Sequence, residues 1–182
     1  FYFLSFERLD ISAHNFVTID DTNNVTFLGQ PLGTPAAILR RAGFAVETGH
    51  VPYDIRSNQF LGKVDHQLNT NNSLTGRFNW ANDFNENIEP FGGNVARSRG
   101  AVLDSEDIMF ALAHTSVRSA RMVNEARFQV ASRDQAVNSL DPRCGGPCTL
   151  ETQGGPTLEV LGVASVGRQR FTPQPRKNVR YQ

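Results

Sequence analysis

Apolar and polar residues alternate with a period of two along residues 58–83, NQFLGKVDHQLNTNNSLTGRFNWAND. In 60–68 the even positions Phe60, Gly62, Val64, His66 and Leu68 are mostly apolar. The odd positions Lys63, Asp65 and Gln67 are polar, with Leu61 the exception. In 74–80, Leu74, Gly76, Phe78 and Trp80 alternate with Thr75, Arg77 and Asn79. Successive side chains of a strand point to opposite faces, so the pattern predicts two strands, each with a wet and an apolar face. Asn69, Thr70, Asn71 and Asn72 supply turn chemistry between them, which predicts a hairpin. Pairing Leu68 with Leu74 sets Asp65 opposite Arg77 and lets Trp80 cover Gly62. That register is expected over one slipped by two residues, which opposes Lys63 to Arg77.

Similar alternation recurs along the chain. Tyr2, Leu4 and Phe6 oppose Ser5 and Glu7. Ile108, Phe110 and Leu112 share one face of 107–116. Ala126, Phe128 and Val130 alternate with Glu125, Arg127 and Gln129. Pairing Thr115 with Val123 sets Phe110 opposite Phe128 and Ile108 opposite Val130. NVRYQ at 178–182 begins a further strand. Between these stretches, residues 20–24 read as a turn. Thr34 caps a short helix that starts at Pro35, runs over 36–42 and stops at Gly43. The apolar piece 158–166 reads as a local strand or a patch packed on a neighbour.

The connections alternate in length: long (10–57), short (69–73), long (84–106), short (117–121), long (132–176). All long connections therefore leave the sheet on one side, as in outer-membrane barrels with tight periplasmic turns and long extracellular loops. Strands of about ten residues also suffice to cross a bilayer at a tilt. The alternative is a soluble β-sheet, in which the same apolar face meets a core. The two differ in whether Val64, Phe78, Phe110, Leu112 and Phe128 form an exposed band or lie under another layer of the chain.

Composition narrows the classes. The chain has 182 residues and a formal net charge of zero, so it carries no electrostatic footprint for nucleic acid. A mean hydropathy of −0.37 suits a soluble domain and also a barrel with a polar interior and polar loops. No apolar run is long enough for a spanning helix. There is no nucleophile elbow, phosphate loop or supported pair of catalytic carboxylates, so neither enzymatic activity nor a cofactor is expected. Cys144 and Cys148, in CGGPC, suit a small disulfide loop, with two free thiols or a metal site as the other readings. His66 and His114 read as amphipathic side chains rather than metal ligands. Glu86, Glu89, Asp104, Glu106 and Asp107 lack the spacing of a known Ca²⁺ loop. The basic run Arg168, Arg170, Arg176, Lys177 and Arg180 reads as a solvated loop, or as a contact with anionic lipopolysaccharide.

Three stretches, FYFLSFERL, NQFLGKVDHQLNTNNSLTGRFNWAND and HTSVRSARMVNEARFQ, resemble the barrel region of TonB-dependent outer-membrane receptors, most closely the Oar-like type with a carboxypeptidase-regulatory-like domain. Asp65, Gln67, Leu68, Asn69, Asn72, Ser73, Leu74, Arg77 and Trp80 match the family hairpin D-x-Q-L-N … N-S-L … R-x-x-Y/W. Val123, Asn124, Glu125, Arg127 and Phe128 match its V-N-E-x-R-F strand. The resemblance implies an all-β fold: an antiparallel up-and-down meander of about six strands, an open segment of a transmembrane β-barrel with long extracellular loops. It implies a partial barrel domain over 1–182, truncated at both ends and without the plug domain or TonB box. The expected location is the bacterial outer membrane. The expected activity is capture and TonB-dependent uptake of a nutrient, whether carbohydrate, peptide or chelate. A soluble binding module and an adhesion or secretion role on the same barrel are the alternatives. Expected partners are the TonB complex, acting through the missing N-terminal region, outer-membrane lipid or lipopolysaccharide, and the small ligand, with no nucleic acid. No ligand-binding residue carries over. Within this frame Asp65 and Arg77 form a lumen-facing charge pair, and Phe60 and Trp80 belong to an aromatic girdle.

Overall fold

A computed structural model describes residues 1–143 and 154–182. Six long strands form one antiparallel sheet in the order β1 (Tyr2–Val17), β4 (Gly49–Asn69), β5 (Asn72–Glu89), β6 (Ala101–Ser119), β7 (Met122–Ser139) and β10 (Gln174–Tyr181). Sequential neighbours pair throughout, which is the up-and-down meander expected from the alternation. Two small hairpins lie in the long connections: β2 (Val25–Phe27) with β3 (Gln30–Gly33), and β8 (Leu158–Val160) with β9 (Ala164–Val166). The single helix, α1 (Pro35–Arg41), begins where the sequence predicts it: the Thr34 hydroxyl accepts the Ala37 N–H at 3.2 Å. Gly43, at φ 87°, ends it.

The registers differ from expectation. Lys63 faces Arg77, Asp65 faces Thr75, Gly62 faces Phe78, and Phe60 faces Trp80. In the second hairpin Thr115 faces Glu125, Phe110 faces Val130, and Leu112 faces Phe128. Both pairs are thus slipped by two residues from the predicted pairing, and the turns explain why. The chain reverses over Thr70–Asn71 and over Ala120–Arg121, tighter than the predicted connections. In the first turn the Asn69 carboxamide oxygen accepts the Asn71 N–H at 3.0 Å. In the second the Ser119 hydroxyl accepts the Arg121 N–H at 3.3 Å. These are the same local device, a side chain bonding the backbone two residues on. Each is followed by a bulge that leaves Leu68 or Arg118 as the extra residue. One exposed ion pair contributes at most about 1 kcal/mol, so it does not outweigh a turn that folds locally. The opposed cations avoid each other by leaning apart. Lys63 Nζ reaches Asp65 at 2.8 Å, toward the turn, and Arg77 Nε reaches Asn79 at 2.8 Å, away from it.

The strands are also much longer than about ten residues: β4 has 21 and β6 has 19. Their far halves read as irregular in sequence because the alternation changes phase. In β1 the apolar set is Tyr2, Leu4 and Phe6, then Leu9, Ile11 and Ala13. In β4 it is Val51, Tyr53 and Ile55, then Phe60, Gly62 and Val64. The β1–β4 register runs unbroken through the change, so the apolar surface itself moves from one face of the sheet to the other.

The buried core lies with the odd-face half. Val17 and Val51 project from the sheet to meet Ile19, Ala36, Leu39, Val46, Phe91, Ala96, Ala164 and Val166. All three long connections therefore contribute to one small core at one end of the sheet.

Candidate functional site

Three surfaces organise the molecule. The first is an apolar belt on the even face. Cross-strand rows run Tyr2–Val64–Gly76–Leu112–Phe128, Leu4–Gly62–Phe78–Phe110–Val130–Tyr181, and Phe6–Phe60–Trp80–Ile108–Ser132–Val179. The next row is wholly polar: Arg8–Asn58–Asn82–Glu106–Asp134–Lys177. The belt is bare. Val64 is 54% exposed, Phe128 51%, Phe110 41%, Phe78 38% and Leu112 37%, with no second layer of the described chain over them. A contiguous apolar band of this extent is what a bilayer covers.

The second surface is the opposite, odd face at the same level. The sheet curls toward it and encloses a hollow of about 700 Å³ lined by Glu7, Arg77, Asn79, Asp107, Arg133 and Arg180, among others. Arg133 binds Asp107 through two contacts of 2.6 Å. Asp65 and Arg77 both lie on this face, but the expected pair between them is absent: Asp65 bonds Lys63 and Thr75, at 2.8 and 2.7 Å. The slipped register is the cause.

The third surface is the cap formed by the long connections, 18–48, 90–100 and 140–173. They are stitched together by backbone bonds: Thr18 N–H to Gly93 O at 2.7 Å, Gly93 N–H to Phe16 O at 2.8 Å, Ala96 N–H to Ser165 O at 2.9 Å, and Ser165 N–H to Asn94 O at 2.7 Å. Asp141 is fully buried and accepts from the Arg143 guanidinium at 2.8 Å and from the Gly155 N–H at 3.0 Å. Arg143 then donates to Gly43 O at 3.1 Å and stacks 4.2 Å over the Phe44 ring. It so fastens the third connection to the first. Burial pushes the Asp141 carboxyl up, but these donors outweigh it and hold it below the usual carboxylate range. At the start of the cap Asp20 accepts the Thr22 N–H, Asn23 side-chain and Asn23 backbone bonds, which hold its carboxyl far below that range.

The other sequence candidates separate. Phe60 and Trp80 come together as direct partners, and the Trp80 indole donates to Glu106 at 2.9 Å. His66 and His114 flank Leu74 in one row, and no group of three metal-ligating side chains occurs among the described residues. Arg176 and Arg180 lie on the hollow side of β10, whereas Lys177 lies on the outer side with Asp134 at 3.3 Å, so the basic run is no single patch. Cys144 and Cys148 lie outside the described residues. The Asp141–Arg143 fastening went unread in sequence. Its only local signal is an acid and a base two positions apart, and its partners lie up to 100 residues away.

An amphipathic meander that bares an apolar belt, hides a charged hollow and sends every long connection to one end defines an outer-membrane β-barrel protein. Residues 22–182 match the model of the outer membrane beta barrel domain, and the chain belongs to that family. Its location is the bacterial outer membrane. The soluble reading of the sheet is thereby overturned. No curated protein and no solved structure matches the chain.

Proposed function

We propose that this chain is the receptor part of a TonB-dependent transporter, which captures a small nutrient outside the cell and admits it past the charged hollow. The observation that carries the proposal is the pairing of that hollow with an ordered cap above it, which suits selective, gated passage better than free diffusion. The receptor-like hairpin and V-N-E-x-R-F strand support the same reading. The mechanism is binding and gated transport, with no bond chemistry, and energy comes from the inner-membrane TonB complex. In this reading Lys63, Asp65, Arg77 and Arg133 line the lumen. Phe60 and Trp80 sit in the outer aromatic girdle, where a ring tied to a polar partner suits the lipid–water boundary.

The test uses cells carrying the full-length protein and three fluorescent probes: an oligosaccharide, a tripeptide and an iron chelate. One of them should bind at the surface and enter only while the proton gradient stands. Entry that continues unchanged after a protonophore, or in cells lacking TonB, refutes energised uptake.

One observation favours a second reading, adhesion on the same barrel. Both cap hairpins end in bare leucines, Leu28 at 87% and Leu161 at 88% exposure. Loss of cell-surface attachment in a Leu28→Ser, Leu161→Ser double variant, with probe uptake intact, selects it.

A further inference from the structure

We infer that the long connections form an inward-folded lid closing this arc's share of the barrel mouth, and that the Asp141–Arg143 pair is its latch. The inference goes beyond the transport proposal and stands whichever way cargo moves.

Side-chain parity carries it. In β1, Ser12, His14 and Phe16 are exposed, whereas Ala13 and Asn15 are covered and Val17 is buried. The register with β4 puts Asn15 beside Val51 and Ala13 beside Tyr53. These odd positions continue the face that carries Glu7, Lys63 and Arg77 lower down, which is the face of the hollow. The cap therefore packs on the lumen side of the strands and leaves the outer side bare. Loops that spread outward from the rim would bury the even positions instead.

The same parity holds across the arc. Phe91, from the second connection, stacks edge-on to Tyr53 at 6.2 Å, and Asn15 donates to Asn87 at 2.9 Å. Ala101 in β6 and Ser139 in β7 are buried at the same end. The lid is closed in this structure, and what holds its third piece to its first is charge rather than apolar area. Arg143 bridges Asp141, Gly43 O and the Phe44 ring. Gly155 is shaped to this fit: a Cβ there would stand 2.6 Å from the guanidinium. A buried carboxylate left without its cation is strongly unfavourable, so loss of Arg143 favours an open state in which water reaches Asp141.

The experiment labels intact cells carrying the full-length protein, with Cys144→Ser and Cys148→Ser as background, using a membrane-impermeant maleimide. Ser12→Cys and Ala13→Cys are adjacent residues on opposite faces. Ser12→Cys should label at least about tenfold faster than Ala13→Cys, and adding Arg143→Ala or Asp141→Asn should raise the Ala13→Cys rate by at least about tenfold. Heat-modifiable gel mobility selects the variants that assemble, and either latch variant suffices. Equal labelling at both positions in the latched protein overturns the inward fold. Continued protection of Ala13→Cys after the latch is removed overturns the role of Asp141 and Arg143.

Discussion

The change of apolar phase along the strands predicts where the bilayer ends, and an arginine scan of β6 tests it residue by residue. Leu112 lies in the middle apolar row and Glu106 in the first polar row, six residues along the strand. At about 3.4 Å per residue and a tilt near 40°, those six residues rise roughly 15 Å along the membrane normal. The apolar band of such a barrel is about 25 Å tall, so a midplane at Leu112 puts Glu106 just beyond its edge. Leu112→Arg should then cost about 2–4 kcal/mol, Ile108→Arg less, and Glu106→Arg no more than about 1 kcal/mol. Ala111→Arg points into the hollow and should cost little. Ala101→Arg, at a fully buried odd position under the cap, should again be costly. The profile thus has two maxima, on opposite faces of one strand. Urea unfolding of the full-length protein in lipid vesicles, followed by gel mobility, measures it. A cost at Ala111 equal to that at Leu112, or a value at Glu106 as large as at Leu112, refutes the belt and its boundary.

Register is checked by crosslinking. The Asp65→Cys, Thr75→Cys pair should close a disulfide under mild oxidation, and the Asp65→Cys, Arg77→Cys pair should not. Thr34→Ala removes the cap bond to Ala37 and should cost about 1 kcal/mol, seen as faster amide exchange confined to α1. The depressed Asp141 carboxyl contributes stability that is fully present above the unfolded value of about 3.9 and is lost as pH falls through the folded value. Protease protection of the cap should accordingly be flat from pH 8 to about pH 5 and fall only in stronger acid. Loosening near pH 6.5 would point to a histidine instead.

The strands, the meander, the one-sided long connections and α1 were legible because each rests on local chemistry: period-two alternation, an Asn-rich turn, a Thr-Pro start and a Gly stop. Register was not legible. A slip of two residues keeps every side chain on its face, so the hydrophobic pattern is blind to it. What decides it is the Asn69 and Ser119 turn bonds, and cross-strand charge is too weak to overrule them. The cap was invisible for a different reason. Arg143 meets Gly43 and Phe44 across 100 residues of chain, and nothing in D-P-R marks its carboxylate as buried.

The phase change links these failures. A strand that only crosses lipid needs one apolar face, and beyond the bilayer edge that face must turn polar. In Arg8, Asp10 and Ser12 of β1, and Asn58, Arg56 and Asp54 of β4, it does. A strand extended further into water would then have no apolar face and nothing to hold it to the sheet except its ladder of hydrogen bonds. Leu9, Ile11, Val51, Tyr53 and Ile55 supply the missing face on the other side. That face can be buried only from within the barrel, and the loops are the chain that lies within reach. Long strands and an inward cap are thus two halves of one solution: the phase inversion requires something to fill the mouth, and the packed loops allow the strands to rise past the membrane.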